Sequence, residues 1–248
     1  MRAEPPDVRH IALPTTDSTN AEALRRARAG EAGPLWITAE VQTAGRGRGG
    51  NAWVSEPGNL YATLLLREPS SPAVAPQLAF VAGLAVHDAV AACAPNLGPL
   101  LQLKWPNDLL CNGRKLAGLL IEAENAPVFA VAIGLGINCV SHPDNASYPA
   151  TDFKAEAARV TAAALFAALA ETMPLRLTQW RRGEGFASIR ADWLKRAAGL
   201  GEPIKVRLPD RQLAGRFGGV DDAGRLLLET AGKIETITAG EVFSLGVA

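Results

Sequence analysis

Residues 42–53 read Gln42-Thr43-Ala44-Gly45-Arg46-Gly47-Arg48-Gly49-Gly50-Asn51-Ala52-Trp53. Four glycines around two arginines give a backbone that bends freely, approaches a ligand closely and offers N–H groups beside two guanidiniums. Backbone N–H groups cradle phosphate oxygens, and arginine pairs bidentately with phosphate or carboxylate, so the stretch suits a multiply charged anion. It is not a Walker A loop, because no Gly-Lys-Ser/Thr follows at the required spacing. Its glycine rhythm also differs from the dinucleotide fingerprint. An RG-type linker would sit in polar, low-complexity surroundings. Here apolar runs flank the stretch, Leu35 to Ala39 before it and Leu60 to Leu66 after it.

Other residues offer chemistry on weaker grounds. Ser18-Thr19-Asn20 are three adjacent small hydrogen-bonding residues, more than a helix cap needs. Asn107 and Asp108 follow Lys104-Trp105-Pro106 between apolar runs. Polar groups so placed need partners, whether in a solvated turn or against a ligand or metal. Lys115 heads a strand not far across a hairpin from Asp108; alone, such a lysine reads as a surface charge. Gly134 and Gly136 interrupt an apolar strand that ends at Asn138, and strand glycines often mark close approach of a ligand.

The elements that must position these groups follow from period and punctuation. A short strand is expected at 9–13, then a helix at about 20–29 with Thr19 and Glu22 at capping-box spacing and a solvated face of Arg25, Arg26 and Arg28. Strands at about 35–41 and 59–66 bracket the glycine–arginine loop, and a long apolar helix follows at 73–94. Pro106 ends a strand near Trp105. Asn112-Gly113 is a two-residue hairpin signal joining 109–111 to 115–122. After a loop at 124–127 come a buried strand at 128–137, a loop at 139–152 and helices at 153–172 and 174–197 carrying Trp180 and Trp193. Beyond Gly199-Leu200-Gly201 the pattern changes to short strands at 203–208, 211–220, 224–230, 233–239 and 242–245, which suggests a small β-barrel. The expected domains are 1–200 and 201–248.

Composition sets outer limits. Of 248 residues 48% are apolar, enough for a sizeable core, and 25 basic residues balance 25 acidic ones, so neither nucleic acid nor an acidic membrane is expected as the main partner. Cys93, Cys111 and Cys139 are odd in number and far apart, pointing to a reducing, cytoplasmic setting without disulfides. His10, His87 and His142 are isolated, so no zinc site is expected. No segment is expected to span a bilayer.

Taken together, Ser18-Thr19-Asn20, Gln42 with Gly45-Arg46-Gly47-Arg48-Gly49-Gly50 and Trp53, Lys104-Trp105-Pro106-Asn107-Asp108, Lys115-Leu116-Ala117-Gly118 and Gly134-Leu135-Gly136-Ile137-Asn138 resemble the motifs of biotin protein ligases. They stand in that family's order and spacing across 16–140, and the tail, with Phe217 to Asp221 and Gly240-Glu241-Val242, resembles its SH3-like terminal domain. The resemblance implies an α+β fold: a mixed sheet flanked by helices, of the class II tRNA-synthetase-like type, followed by the SH3-like barrel. It implies that biotin and ATP, with Mg2+, give biotinyl-5′-adenylate and pyrophosphate, and that a lysine of a biotin carboxyl carrier protein then takes the biotin. A homodimer is compatible with it.

The resemblance also implies roles. Lys115, Arg48 and Asp108 are the expected catalytic residues, with Lys115 close to biotin's carboxylate. Ser18, Thr19, Asn20 and Gln42 suit the neutral ureido ring; Gly45, Arg46, Gly47 and Arg48 suit phosphate. Trp53 is expected to stack near the adenine, Asn107 and Asp108 to face the nucleotide or its magnesium, Asn138 the adenylate side, and Gly118 belongs to the lysine's motif. No residue is assigned as a metal ligand. Every ligand motif lies before residue 140, so the tail is expected to assist rather than hold biotin.

Asn51 and Ala52 stand where relatives often carry basic residues, which puts a secondary phosphate contact there in doubt. Only 17 residues precede Ser18, too few for the three helices of a DNA-binding module, so no repressor role is expected. A lipoate or octanoate ligase would leave the polar pocket unsatisfied, at about 1–3 kcal/mol per group. A non-catalytic adenylate-binding regulator would not need Lys115 and Arg48.

Overall fold

The computed structural model describes residues 8–125, 127–143 and 148–244. Residue 126 of the expected 124–127 loop, residues 144–147 of the 139–152 loop and residue 245 of the last strand lie outside them.

Seven strands make the first sheet: β1 (Arg9–Thr16), β2 (Leu35–Gln42), β3 (Leu60–Arg67), β4 (Leu101–Lys104), β5 (Asp108–Cys111), β6 (Arg114–Asn125) and β7 (Phe129–Ile137). Their order is β1-β2-β3-β7-β6-β5-β4. β1 runs parallel to β2 and every other pair is antiparallel, so the sheet is mixed. Alternation assigns the faces. Trp36, Leu60, Ala62, Leu64, Val131, Ile133 and Leu135 turn to a core shared with α2 (Leu78–Cys93) and α3 (Ala162–Trp180). Leu35, Ile37, Leu65, Ala130 and Ala132 turn the other way, against Ala23, Leu24 and Ala27 of α1 (Thr19–Arg28). The α1 face is the one that carries the cavity.

Several boundaries differ from the sequence reading. The capping box does not form: Ser18 is the cap residue and makes no side-chain cap bond. Glu22 is drawn instead to Arg25 and Arg26, at 2.9 and 2.7 Å. Residues 153–161 are not helical; α3 starts after Thr161, whose hydroxyl accepts from Ala164 N at 3.2 Å. The break expected between 172 and 174 falls later, at Arg181, Arg182 and Gly183, all at positive φ, before α4 (Phe186–Leu194). β6 continues to Asn125 because Phe129 of β7 pairs with it there. Residues 75–93 are long and apolar enough to cross a membrane by length and composition only. Tertiary packing explains why: Leu78, Val81, Leu84, Ala85, Ala89 and Val90 are buried in the core.

The hairpin signal is realised as written, with Asn112 and Gly113 at φ 50° and 72°. A register shift between Leu109 and Leu110 in the β5–β6 ladder then opposes Lys115 to Leu110 while Asp108 opposes Gly118.

The second sheet contains β8 (Pro203–Arg207), β9 (Gln212–Val220), β10 (Leu226–Thr230), β11 (Lys233–Ile237) and β12 (Glu241–Ser244), in the order β11-β10-β9-β8-β12. All pairs are antiparallel, and among the described residues β11 and β12 do not pair, so the sheet is open. Ile204, Val206, Phe217, Leu226 and Leu228 join the main core. The seam is close: Trp105 Nε1 donates to Gly224 O at 3.1 Å, and a Cβ on Gly224 would stand 2.8 Å from the Phe80 ring.

Candidate active site

Three glycines open the α1 face of the first sheet. Gly118 of β6 is paired with Gly136 of β7, and Gly134 lies two residues before Gly136. A Cβ would stand 2.4 Å from Trp53 Cε2 at Gly136 and 2.8 Å from Trp53 Cζ3 at Gly118, so the indole occupies the room these glycines leave. At Gly134 a Cβ would stand 2.3 Å from Asn20 Oδ1.

One end of the resulting cavity is neutral and polar. Ser18, Thr19 and Asn20, buried at the start of α1, line it together with Gln42. Gln42 Oε1 accepts from Thr19 N at 2.8 Å, and its Nε2 donates to Ser55 Oγ at 3.0 Å. Ser55 in turn donates to Trp53 O at 3.1 Å. Asn20 Nδ2 donates to Leu120 O at 3.1 Å and to Glu122 Oε2 at 2.9 Å, and the same carboxylate oxygen holds Arg46 at 2.9 Å. A chain of contacts thus runs from Arg46 under the cavity floor and back to Trp53.

The glycine–arginine loop is tightly folded. Trp53 N donates to Gly45 O at 2.9 Å and Gly47 N to Asn51 O at 2.7 Å, so two backbone donors are spent within the loop. A Cβ on Gly45 would stand 2.4 Å from Trp53 O, and Gly49 and Gly50 have φ of 64° and 82°, a region that favours glycine.

The other end is cationic. Lys115 Nζ lies 2.7 Å from Asp108 Oδ1, 3.2 Å from the Tyr148 hydroxyl and 4.7 Å from that ring's centroid. Burial works to lower the Lys115 pKa, but Asp108 and Tyr148 outweigh it and hold it above its ordinary value. Arg48 reaches Asn107 Oδ1 at 3.4 Å and Gly240 O at 3.3 Å, with its pKa lowered by burial against the pull of Asp108 and Glu241. Lys104 sits 5.7 and 5.6 Å from the ring centroids of Tyr148 and Phe243, its pKa also lowered by burial. Asn107 is steered by its amide donating to Leu119 O.

Of the residues singled out from the sequence, Ser18, Thr19, Asn20, Gln42, Arg46, Gly47, Arg48, Trp53, Asn107, Asp108, Lys115 and Gly118 line this one cavity. Gly45 lies behind the loop, where its close approach to Trp53 serves loop shape. Asn138 is outside the lining: its Nδ2 donates to Thr151 O at 3.0 Å and its N to Leu116 O at 3.0 Å. The sequence reading assigned no site role to Thr63 and Glu122, which hold Asn20 under the floor, or to Lys104, Tyr148 and the tail residues Gly240 to Phe243, which line the cationic end. Thr63 carried a signal, as the lone aliphatic hydroxyl in the run Leu60 to Leu66, where Tyr61 bears the other hydroxyl. Tyr148 carried none. No cluster of three His, Cys, Asp or Glu that could hold a metal occurs among the described residues.

Fold and site together define a protein with one cavity on a mixed sheet that is neutral and polar at one end and cationic at the other. The Biotin/lipoate A/B protein ligase family model matches residues 12–138, and the Biotin protein ligase C terminal domain model matches 199–244. The chain is 42% identical over 239 residues to a biotin--[acetyl-CoA-carboxylase] ligase of Paracoccus denitrificans, covering 93% of this chain and 98% of that protein. To the ligase of the same name from Mycobacterium tuberculosis it is 35% identical over 235 residues, covering 93% and 86%. A solved biotin protein ligase from Aquifex aeolicus in complex with biotin and ATP superposes with a TM-score of 0.80 at 26% identity, covering 95% of this chain and 97% of that one. The chain belongs to the biotin/lipoate A/B protein ligase family, among its biotin protein ligases.

Proposed function

We propose that this chain is an ATP-dependent ligase that activates biotin as biotinyl-5′-adenylate and passes the biotin to a lysine of a biotin carboxyl carrier protein. The observation that carries the reading is the cavity's division: a floor of Ser18, Thr19, Asn20 and Gln42 that bears no charge of its own, joined to an end where Arg48, Lys104 and Lys115 converge. Biotin presents the same division, an uncharged cyclic urea and a carboxylate that must meet a triphosphate.

In the first step a carboxylate oxygen attacks the α-phosphorus, forming a mixed anhydride as the bond to pyrophosphate breaks. Both partners are anions, and positive charge fixed in a site poor in water is worth most where their repulsion peaks. Lys115 stands on a strand, steadied by Asp108 and Tyr148, and takes the place nearest the reacting atoms; Arg48 and Arg46 serve the phosphates from the loop. Trp53 lies beside the adenine and Asn107 beside the nucleotide. In the second step the carrier's lysine amine attacks the acyl carbon, AMP leaves with the bonding pair, and the amine gives up a proton. Were magnesium bound with the nucleotide, Asp108 and Glu241, the cavity's two carboxylates, would be the side chains to hold it, and it would supply positive charge against the phosphates.

Residues 1–200 form the catalytic domain. Residues 201–248 form an SH3-like domain that closes the nucleotide end through Gly240 and Phe243, a division supported by the family match at 199–244. The outer half of β6, beyond Gly118, has no strand partner on its β5 side among the described residues. Such an edge suits strand addition by the carrier or by a second copy of the chain as a homodimer. The protein acts in the cytoplasm, where biotin, ATP and its carrier meet.

Biotin-dependent exchange of labelled pyrophosphate into ATP tests the reading, with lipoate and octanoate as competitors. Exchange with lipoate equal to that with biotin refutes the biotin assignment. Adenylate binding without exchange identifies a regulator instead of an enzyme.

A further inference from the structure

Thr63 lies under the cavity floor, 0% exposed, on β3 opposite Gly134. Its hydroxyl contacts Asn20 Oδ1 at 2.8 Å and Thr19 Oγ1 at 2.8 Å. One hydroxyl has one proton, and the surrounding partners decide where it goes. Asn20 Nδ2 faces two groups that can only accept, Leu120 O and the Glu122 carboxylate, so Asn20 Oδ1 is the atom turned to Thr63. A carbonyl oxygen cannot donate; Thr63 therefore gives its proton to Asn20. The Thr19–Thr63 contact then requires the proton of Thr19. Gln42 Oε1, 3.1 Å from Thr19 Oγ1, accepts from Thr19 N and is the competing acceptor for the Thr19 proton, at a longer distance than Thr63.

We infer that Thr63 is a positioning residue that sets the direction of the proton chain under the pocket, turning Thr19 Oγ1 and Asn20 Oδ1 to the cavity as acceptors only. Acceptors at these two positions demand ligand N–H donors and give nothing to a hydrocarbon chain, while the Ser18 hydroxyl keeps a proton of its own to offer a carbonyl. The inference deepens the biotin reading and rests on it: the two N–H groups of a cyclic urea are the donors such a floor calls for. Without the Thr63 hydroxyl, Asn20 Oδ1 loses its buried donor and the Thr19 proton is free to turn toward Gln42 or the ligand.

The test measures biotin-dependent pyrophosphate exchange in wild type, Thr63→Val and Thr63→Ser, giving kcat and separate KM values for biotin and ATP. Thr63→Val keeps the volume and removes the hydroxyl; the expected result is a biotin KM raised roughly 10- to 100-fold, with ATP KM and kcat within about threefold. Thr63→Ser restores the hydroxyl and is expected to return biotin KM to within about threefold of wild type. A Thr63→Val enzyme with wild-type biotin KM, with both KM values raised alike, or matched by Thr63→Ser overturns the inference while leaving the biotin reading intact. Should Thr63→Val not fold, Thr63→Cys, a weak donor of similar size, takes its place: biotin KM must fall between the serine and valine expectations, and a wild-type value overturns the inference. Absence of biotin-dependent exchange in the wild type overturns both.

Discussion

Lys115 Nζ and Asp108 Oδ1 stand 2.7 Å apart at the cavity wall, although on the β5–β6 ladder Lys115 opposes Leu110 and Asp108 opposes Gly118. The pair is nearly buried, with side chains 11% and 13% exposed. It holds an ammonium in place without leaving it on a flexible stem in water. Truncating Lys115 to alanine removes charge needed where the carboxylate meets phosphate. Adenylate formation, read by pyrophosphate exchange, is expected to fall about 10²-fold or more, with the fold preserved by circular dichroism.

Asp108→Asn tests the same pair through pH. In the wild type Asp108 helps to hold the Lys115 pKa above its ordinary value against burial. Without that carboxylate, burial acts with less opposition and the Lys115 pKa falls. The alkaline limb of the exchange rate is therefore expected to move to lower pH in Asp108→Asn. Stability follows the same sign: the wild-type pair stabilises fully below the unfolded lysine's pKa, and that contribution is lost as pH rises through the higher folded value. An unmoved alkaline limb shows that Lys115 is not the group that titrates there.

Arg48 is held by longer contacts, 3.4 Å to Asn107 and 3.3 Å to Gly240 O, on a loop whose next two residues are glycines at positive φ. Loops of this kind close over reactive intermediates and keep water out. Arg48→Gly is expected to form adenylate but release it, so that an unrelated protein such as serum albumin becomes biotinylated. A blot for biotin beside an adenylate assay reads both steps. Loss of adenylate, or its full retention, contradicts a retaining role for the loop.

Gly134→Ala places a methyl group where Asn20 Oδ1 now lies, against a contact of 2.3 Å. Either Asn20 leaves the floor or the strand shifts, and overpacking of this kind costs about 1–3 kcal/mol. Calorimetry is expected to show biotin binding weakened at least tenfold, more than ATP binding. Equal weakening of both ligands would instead report a general loss of fold.

From the sequence alone came the motifs, the order of strands and helices around them and the change of pattern near residue 200, because each depends on neighbours in the chain. Glycine is favoured at Gly49 and Gly50 whatever packs nearby, and Asn112-Gly113 turns a hairpin by its own backbone preference. Tertiary structure decided what depends on residues far apart. Thr19 turned from its expected capping box toward Gln42 and Thr63, which are 23 and 44 residues away. Asn138 was drawn to Thr151, the tail brought Gly240 and Phe243 to the cationic end, and Tyr148 came to rest on Lys115. Local periodicity encodes which face a residue takes; which partner meets it there is fixed only when the strands and the second sheet pack.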